Sequence, residues 1–160
     1  MSNHSDDLIY IFERIAMTDY ANILKESGLK ATFQRMQLLE KIDKHGHMSI
    51  DSIYGEVTKT HPSLSLATVY KNIILMLDNQ VLAEVPIEGL KPKYELLRDD
   101  HIHLVCTQCG EVEDRPHNVN ADSIFNSMTE EENFSLAKQQ INLYGVCSHC
   151  QGKAFSVIPS

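Results

Sequence analysis

Four cysteines stand as two Cys-x-x-Cys pairs, Cys106 with Cys109 and Cys147 with Cys150, separated by 37 residues. A turn of that spacing presents two thiolates at the separation that two corners of a tetrahedral zinc ion require, and two such turns complete the shell. Weighed against buried free thiols or a redox pair, the pattern favours a structural Zn(II) site of Cys106, Cys109, Cys147 and Cys150. Structural zinc contributes on the order of 10–16 kcal/mol in small domains. The metal is therefore expected to hold the C-terminal part of the chain together.

The first pair belongs to the stretch HIHLVCTQCG, residues 101–110, which also carries His101 and His103. On a strand, alternate side chains face opposite ways, so the histidines point away from Cys106 and can serve a second site. Glu95 lies six residues before His101, Asp114 five after Cys109, and His47 at the end of a predicted helix. Imidazole and carboxylate donors suit Fe(II) or Mn(II), with Zn(II) able to substitute in vitro, and hold them more exchangeably than thiolates hold zinc. The alternative leaves Glu95 a solvated residue and Asp114 a turn residue. If His47, Glu95, His101, His103 and Asp114 do converge, a metal among them sets the angle between two parts of the chain, an input able to control an output elsewhere.

Apolar spacing supplies the elements that must position these groups. Leu8, Ile11, Phe12, Ile15 and Ala16 predict an N-terminal helical extension. A second helix is expected from the cap Thr18 to Gly28, burying Tyr20, Ile23 and Leu24. A third starts at Thr32 with Phe33, Met36, Leu39 and Ile42 inward and ends before Gly46. Ser49 caps a fourth, with Ile50, Ile53, Tyr54 and Val57 inward, which closes at His61-Pro62. Ser65 caps a fifth, with Leu66, Val69, Ile73, Met76 and Leu77 inward. The last two helices outline a helix-turn-helix.

VLAEVPIEGLKPKYELL (81–97) reads as a two-stranded wing. Beyond it come a strand at 101–106, a strand near 111–114, a helix over 121–131 capped by Asn120, and a strand over 134–146. The expected fold is α+β: a helical extension (1–17), a winged helix-turn-helix domain (18–97) and a small mixed metal-binding domain (98–160). The boundary falls near Leu97 to Asp100.

The chain of 160 residues carries a net charge of −8, which by itself counts against a nucleic-acid partner. The charge is uneven: residues 97–160 hold 4 basic against 9 acidic side chains, residues 25–75 hold 7 against 5. A local basic surface survives the acidic total. The N-terminal apolar run is short and preceded by Asp6 and Asp7, which argues against a signal peptide or membrane span and for a cytoplasmic protein.

On the outer face of the fifth helix stand Thr68, Tyr70, Lys71 and Asn72, side chains able to meet thymine methyls, guanine edges or phosphates. Lys30 and Arg35 sit where they could meet backbone or minor groove. A solvated face is the plain alternative; the helix-turn-helix outline and wing favour a double-stranded DNA operator.

The segments GLKATFQR (28–35), HMSIDSIY (47–54), SLATVYKN (65–72), KYEL (93–96), HIHLVCTQCGEVED (101–114) and LYGVCSHC (143–150) together resemble the ferric uptake regulator family. The resemblance implies a homodimeric, metal-dependent winged-helix repressor whose structural zinc set is the four cysteines. Its regulatory set falls on His47, Glu95, His101, His103 and Asp114. The spacing from Glu95 to the two histidines, the SLATVYKN helix and the aspartate at 114 are most similar to the peroxide-responsive repressors. Glu95 departs from that branch, which commonly carries aspartate there.

That branch implies control of an oxidative-stress response through Fe(II) or Mn(II), with His47 and His101 as the ligands oxidised and DNA then released. An iron-responsive repressor of iron-uptake genes is the alternative. A hydrolytic metalloenzyme would need an open coordination position and a spare general base, and none is placed for it. A Cys-x-x-Cys redox protein is a further distant alternative. The protein is expected not to be an enzyme.

Overall fold

A computed structural model describes residues 19–116 and 119–154. The expected extension at 1–17 and the cap at Thr18 lie outside them. The first helix, α1, runs Tyr20–Glu26, and Asp19 is its cap, its carboxylate accepting from the Asn22 N–H at 3.0 Å. Helices α2 (Phe33–His45), α3 (Ile50–Thr60) and α4 (Leu66–Asp78) start at Thr32, Ser49 and Ser65, each with a side-chain hydroxyl accepting from the third residue on. Such caps satisfy N–H groups that the helix leaves without intrahelical partners. Gly46 ends α2 at φ +79°, a backbone region that favours glycine.

The inward faces of α1 to α4 close a core that includes Leu24, Leu39, Ile42, Ile53, Val57, Val69, Ile73 and Met76. Two residues expected in it stand out: Phe33 is 58% exposed and Leu66 44%. Both are the first residue after a cap, at helix ends that project beyond the packed region. Phe33 instead meets the His61 ring edge-on, with centroids 4.9 Å apart.

Strands β1 (Leu82–Val85) and β2 (Lys93–Leu96) pair antiparallel as the wing, with Ala83 opposite Glu95. Met48 joins the wing through two backbone hydrogen bonds with Tyr94, of 2.8 and 3.1 Å. This bridge fixes the chain next to His47 against the residue before Glu95.

The second sheet has the order β4-β3-β5, from β3 (His101–Cys106), β4 (Val112–Pro116) and β5 (Ile141–Gly145). Helix α5 (Val119–Glu131) lies between β4 and β5 in sequence, providing the crossover that parallel β3–β5 pairing needs. It begins before the expected start at 121, so Asn120 lies inside it and is not its cap. The strand expected over 134–146 shortens to 141–145, since β3 offers only Ile102 to Cys106 as partners. A short helix, α6 (Ser148–Ala154), was not expected and carries Cys150.

The two parts share apolar packing. Val85 and Ile87 from the wing are buried in one cluster with Val105 and Val112 of the second sheet. Gln140 Nε2 donates to the Glu84 carbonyl at 3.0 Å, and the Tyr144 hydroxyl donates to that of Pro86 at 3.0 Å.

Candidate metal centres

One donor atom from each of His47, Glu95, His101, His103 and Asp114 lies within 4.8 Å of the others. The register explains the convergence. His103 stands opposite Asp114 across β3 and β4, His101 is two residues away on the same face, and the Met48–Tyr94 bridge brings His47 beside Glu95. Glu95 uses both oxygens: Oε2 lies 3.1 Å from Nε2 of His47 and of His101, and Oε1 lies 3.1 Å from His103 Nε2. Asp114 Oδ1 lies 3.1, 3.5 and 3.7 Å from Nε2 of His47, His101 and His103.

The ring protons are held on the outside of the cluster. His101 Nδ1 is 2.9 Å from the Asp99 carbonyl, which only accepts, and His103 Nδ1 is 2.9 Å from Asn142 Oδ1. Each ring therefore donates outward from Nδ1, and Nε2, once it has lost its own proton, turns a lone pair towards the carboxylates. The Nε2 atoms of His47 and His103 are buried without an aligned hydrogen-bond partner, even though each has a carboxylate oxygen at 3.1 Å. Lone pairs aimed at carboxylate oxygens at this spacing fit a divalent cation between them, since bonds of about 2.1 Å put neighbouring donors roughly 3.0–3.5 Å apart.

Charge follows the geometry. Burial of Glu95 opposes its ionisation, but the His103 and His47 imidazoles 3.1 Å from its oxygens and the charges of His103 and His101 outweigh it, holding the carboxyl well below its usual range. Burial of His103 likewise opposes protonation, and bonding to Glu95 and Asn142 with the charges of Glu95 and Asp114 wins, raising its pKa.

The four cysteines form the second centre, again with one atom of each within 4.8 Å of the rest. All four are free thiols, and the Cys109 and Cys147 sulfurs are 3.8 Å apart. Zn–S bonds of about 2.3 Å in a tetrahedron put sulfurs roughly 3.8 Å apart, so the set fits that ion. The Cys147 N–H donates to Cys106 Sγ at 3.3 Å. Such backbone donors, Cys147 first, pull the Cys106 thiol down to about 6. Burial, then the neighbouring thiols, push Cys150 up to about 12. Thiols that resist joint ionisation when so close are the arrangement that a dication relieves.

On the helical part, Tyr70 and Lys71 of α4 are exposed and Thr68 is half-buried. Arg35 and Asn72 bond each other: Arg35 Nε donates to Asn72 Oδ1 at 3.1 Å, and Asn72 Nδ2 donates to the Thr68 carbonyl at 2.9 Å. Arg35 also donates to the carbonyl of exposed Lys30 at 2.8 Å. The sequence reading placed Thr68, Tyr70, Lys71 and Asn72 on one helix face and Lys30 and Arg35 on another element, and did not foresee the Arg35–Asn72 bond between them.

Residues 26–144 match the model of the ferric uptake regulator family. The chain belongs to that family. A ferric uptake regulation protein of Neisseria gonorrhoeae is 33% identical over 142 residues, covering 86% of this chain and 98% of that protein. A peroxide-responsive repressor of Staphylococcus saprophyticus is 28% identical over 138 residues, covering 86% of this chain and 93% of that one. The crystal structure of the Campylobacter jejuni peroxide stress regulator superposes with a TM-score of 0.69 at 31% identity, over 83% of this chain and 100% of its own.

Members of the ferric uptake regulator family are transcription regulators and not enzymes, which removes the hydrolytic and redox alternatives. This chain is a metal-responsive regulator of that family, with a winged-helix DNA-binding domain followed by a dimerisation domain. Among the described residues, no helix is long and apolar enough to cross a membrane.

Asn142 and the Asp99 carbonyl escaped sequence reasoning. Asn142 is 39 residues from His103, and only the parallel register of β5 makes them neighbours.

Proposed function

We propose that this protein is a homodimeric, DNA-binding repressor that senses peroxide through Fe(II) or Mn(II) held by His47, Glu95, His101, His103 and Asp114. Structural Zn(II) sits on Cys106, Cys109, Cys147 and Cys150. The observation that carries the reading is the cluster itself: imidazole lone pairs and carboxylate oxygens from both domains, turned on one point. Residues 18–97 form the DNA-binding domain and 98–160 the dimerisation domain. Exposed apolar side chains on the latter, Ile124, Met128, Phe134, Leu143 and Tyr144, suit a second copy of the chain.

A cation held between them would tie His47 and Glu95 to the second domain's sheet, and so would fix the angle of each DNA-binding domain and the spacing of two half-sites. Bound Fe(II) would supply the electron that reduces peroxide. His47 and His101 are the ligands assigned to oxidation; an oxygen added to either ring would weaken its nitrogen as a donor and so loosen the cation and the domain angle. On the DNA side, Tyr70 and Lys71 face outward for contact, with Lys30, Arg35, Thr68 and Asn72 around them.

An iron-responsive repressor is the second reading, favoured by Glu95, whose length lets its two oxygens serve three imidazoles. Exposure of the Fe(II) protein to peroxide separates the two. A one-oxygen adduct on His47 or His101 with loss of operator binding is expected; no adduct, with release on chelation alone, gives the iron reading.

A further inference from the structure

His103 is the most deeply buried histidine of the cluster, 2% exposed, with an acceptor on each side of its ring. Glu95 Oε1 lies 3.1 Å from Nε2, and Asn142 Oδ1 lies 2.9 Å from Nδ1. A neutral imidazole carries one proton, and a cation takes His103 Nε2 only when that proton is on Nδ1. Without an acceptor at Nδ1, the proton is better placed on Nε2, where Glu95 accepts it, and the donor atom is lost to the metal. Water is a poor substitute acceptor at a ring so deeply buried.

We propose that Asn142 is a positioning residue of the sensing site: its amide oxygen holds the His103 proton on Nδ1 and so keeps Nε2 turned towards the metal. This rests on reading the cluster as the sensing site. The parallel register sets His103 against Asn142 across β3 and β5, so the acceptor is delivered by the sheet. Asp114 occupies the matching position on the other side of His103, across β3 and β4. One neighbouring strand supplies a ligand and the other the group that orients a ligand. An amide oxygen orients the ring without adding a third carboxylate charge beside Glu95 and Asp114, which keeps the cation exchangeable.

The test uses the full-length, zinc-loaded protein, with Mn(II) binding followed by electron paramagnetic resonance of the free ion. Co(II) absorption spectra report the ligand field, and zinc content reports the fold. Asn142→Leu removes the acceptor at similar volume and is expected to weaken Mn(II) binding about 10–100-fold and to change the Co(II) spectrum, with zinc retained. Asn142→Asp restores an acceptor and is expected to bind Mn(II) at least as tightly as the parent. His103→Ala is the control for the site.

Loss of affinity in His103→Ala but not in Asn142→Leu overturns the positioning role and leaves the site intact. Unchanged affinity in His103→Ala overturns the site itself. Should Asn142→Leu lose its zinc, Asn142→Asp decides alone: a tenfold weakening with zinc retained would overturn hydrogen-bond acceptance as the role.

Discussion

Glu95 and His103, both 2% exposed, face each other across the junction of wing and second sheet, Oε1 to Nε2 at 3.1 Å. Without a cation this contact is an ion pair; under the proposed function the two side chains become ligands when a cation binds. The lowered Glu95 pKa contributes stability above the ordinary carboxylate range and loses it as pH falls. The raised His103 pKa contributes stability below its ordinary value and loses it as pH rises through the folded value.

With zinc in place and the sensing metal removed, the melting temperature is therefore expected to fall as pH rises above the ordinary histidine value of about 6.5, because His103 gives up its proton. Mn(II) affinity should rise over the same range, since the ion must displace that proton. Calorimetric scans and Mn(II) titrations check both, and a flat metal-free profile would remove the pair from the account.

Replacing Cys150 by serine leaves three thiolates and is expected to abolish stoichiometric zinc binding. Cys150 is buried on α6, which joins the chain's far end to the turn after β3. The second domain should lose its sheet, and the dimer with it. Native mass spectrometry and sedimentation measure both, and a zinc-free chain still dimeric with unchanged circular dichroism contradicts the structural role.

Lys71 projects from α4 as an exposed cation. Lys71→Ala should weaken binding to operator and random DNA alike and reduce the salt slope of log affinity by about one, the behaviour of a phosphate contact. Loss confined to the operator would instead mark base recognition.

Gly110 sits at φ +74° in the turn after Cys109, and a Cβ there would lie 3.2 Å from Leu90 Cδ1 in the wing loop. Gly110→Ala is expected to cost about 1–2 kcal/mol from backbone conformation alone. The contact with Leu90 should add a shift in wing position, read by chemical denaturation and by amide exchange in residues 86–92. An unperturbed wing would show that the turn and the loop move independently.

Helix starts at Thr32, Ser49 and Ser65 were legible because cap chemistry and apolar spacing act within a few residues. The two donor sets were legible because ligand chemistry restricts residue type. Phe33 and Leu66 were misplaced because periodicity says which face looks inward but not how far the packed region extends. The Asn142 contact and the sharing of Val85 and Ile87 with the second sheet depend on long-range register, which no local pattern carries. The shortened β5 has the same origin, its length being set by β3.

The parallel pairing of β3 with β5 bears on how the protein is made. A ribosome delivers His101 to Cys109 well before Asn142, Cys147 and Cys150, so the first Cys-x-x-Cys pair has to wait with half a shell. The cysteine cluster is not complete until the chain beyond β5 returns to β3, and His103 gains its Asn142 contact only when β5 docks. In the proposed zinc site, capture of the ion thus waits for the second pair, and a chain stopped before residue 147 would be left without a closed shell.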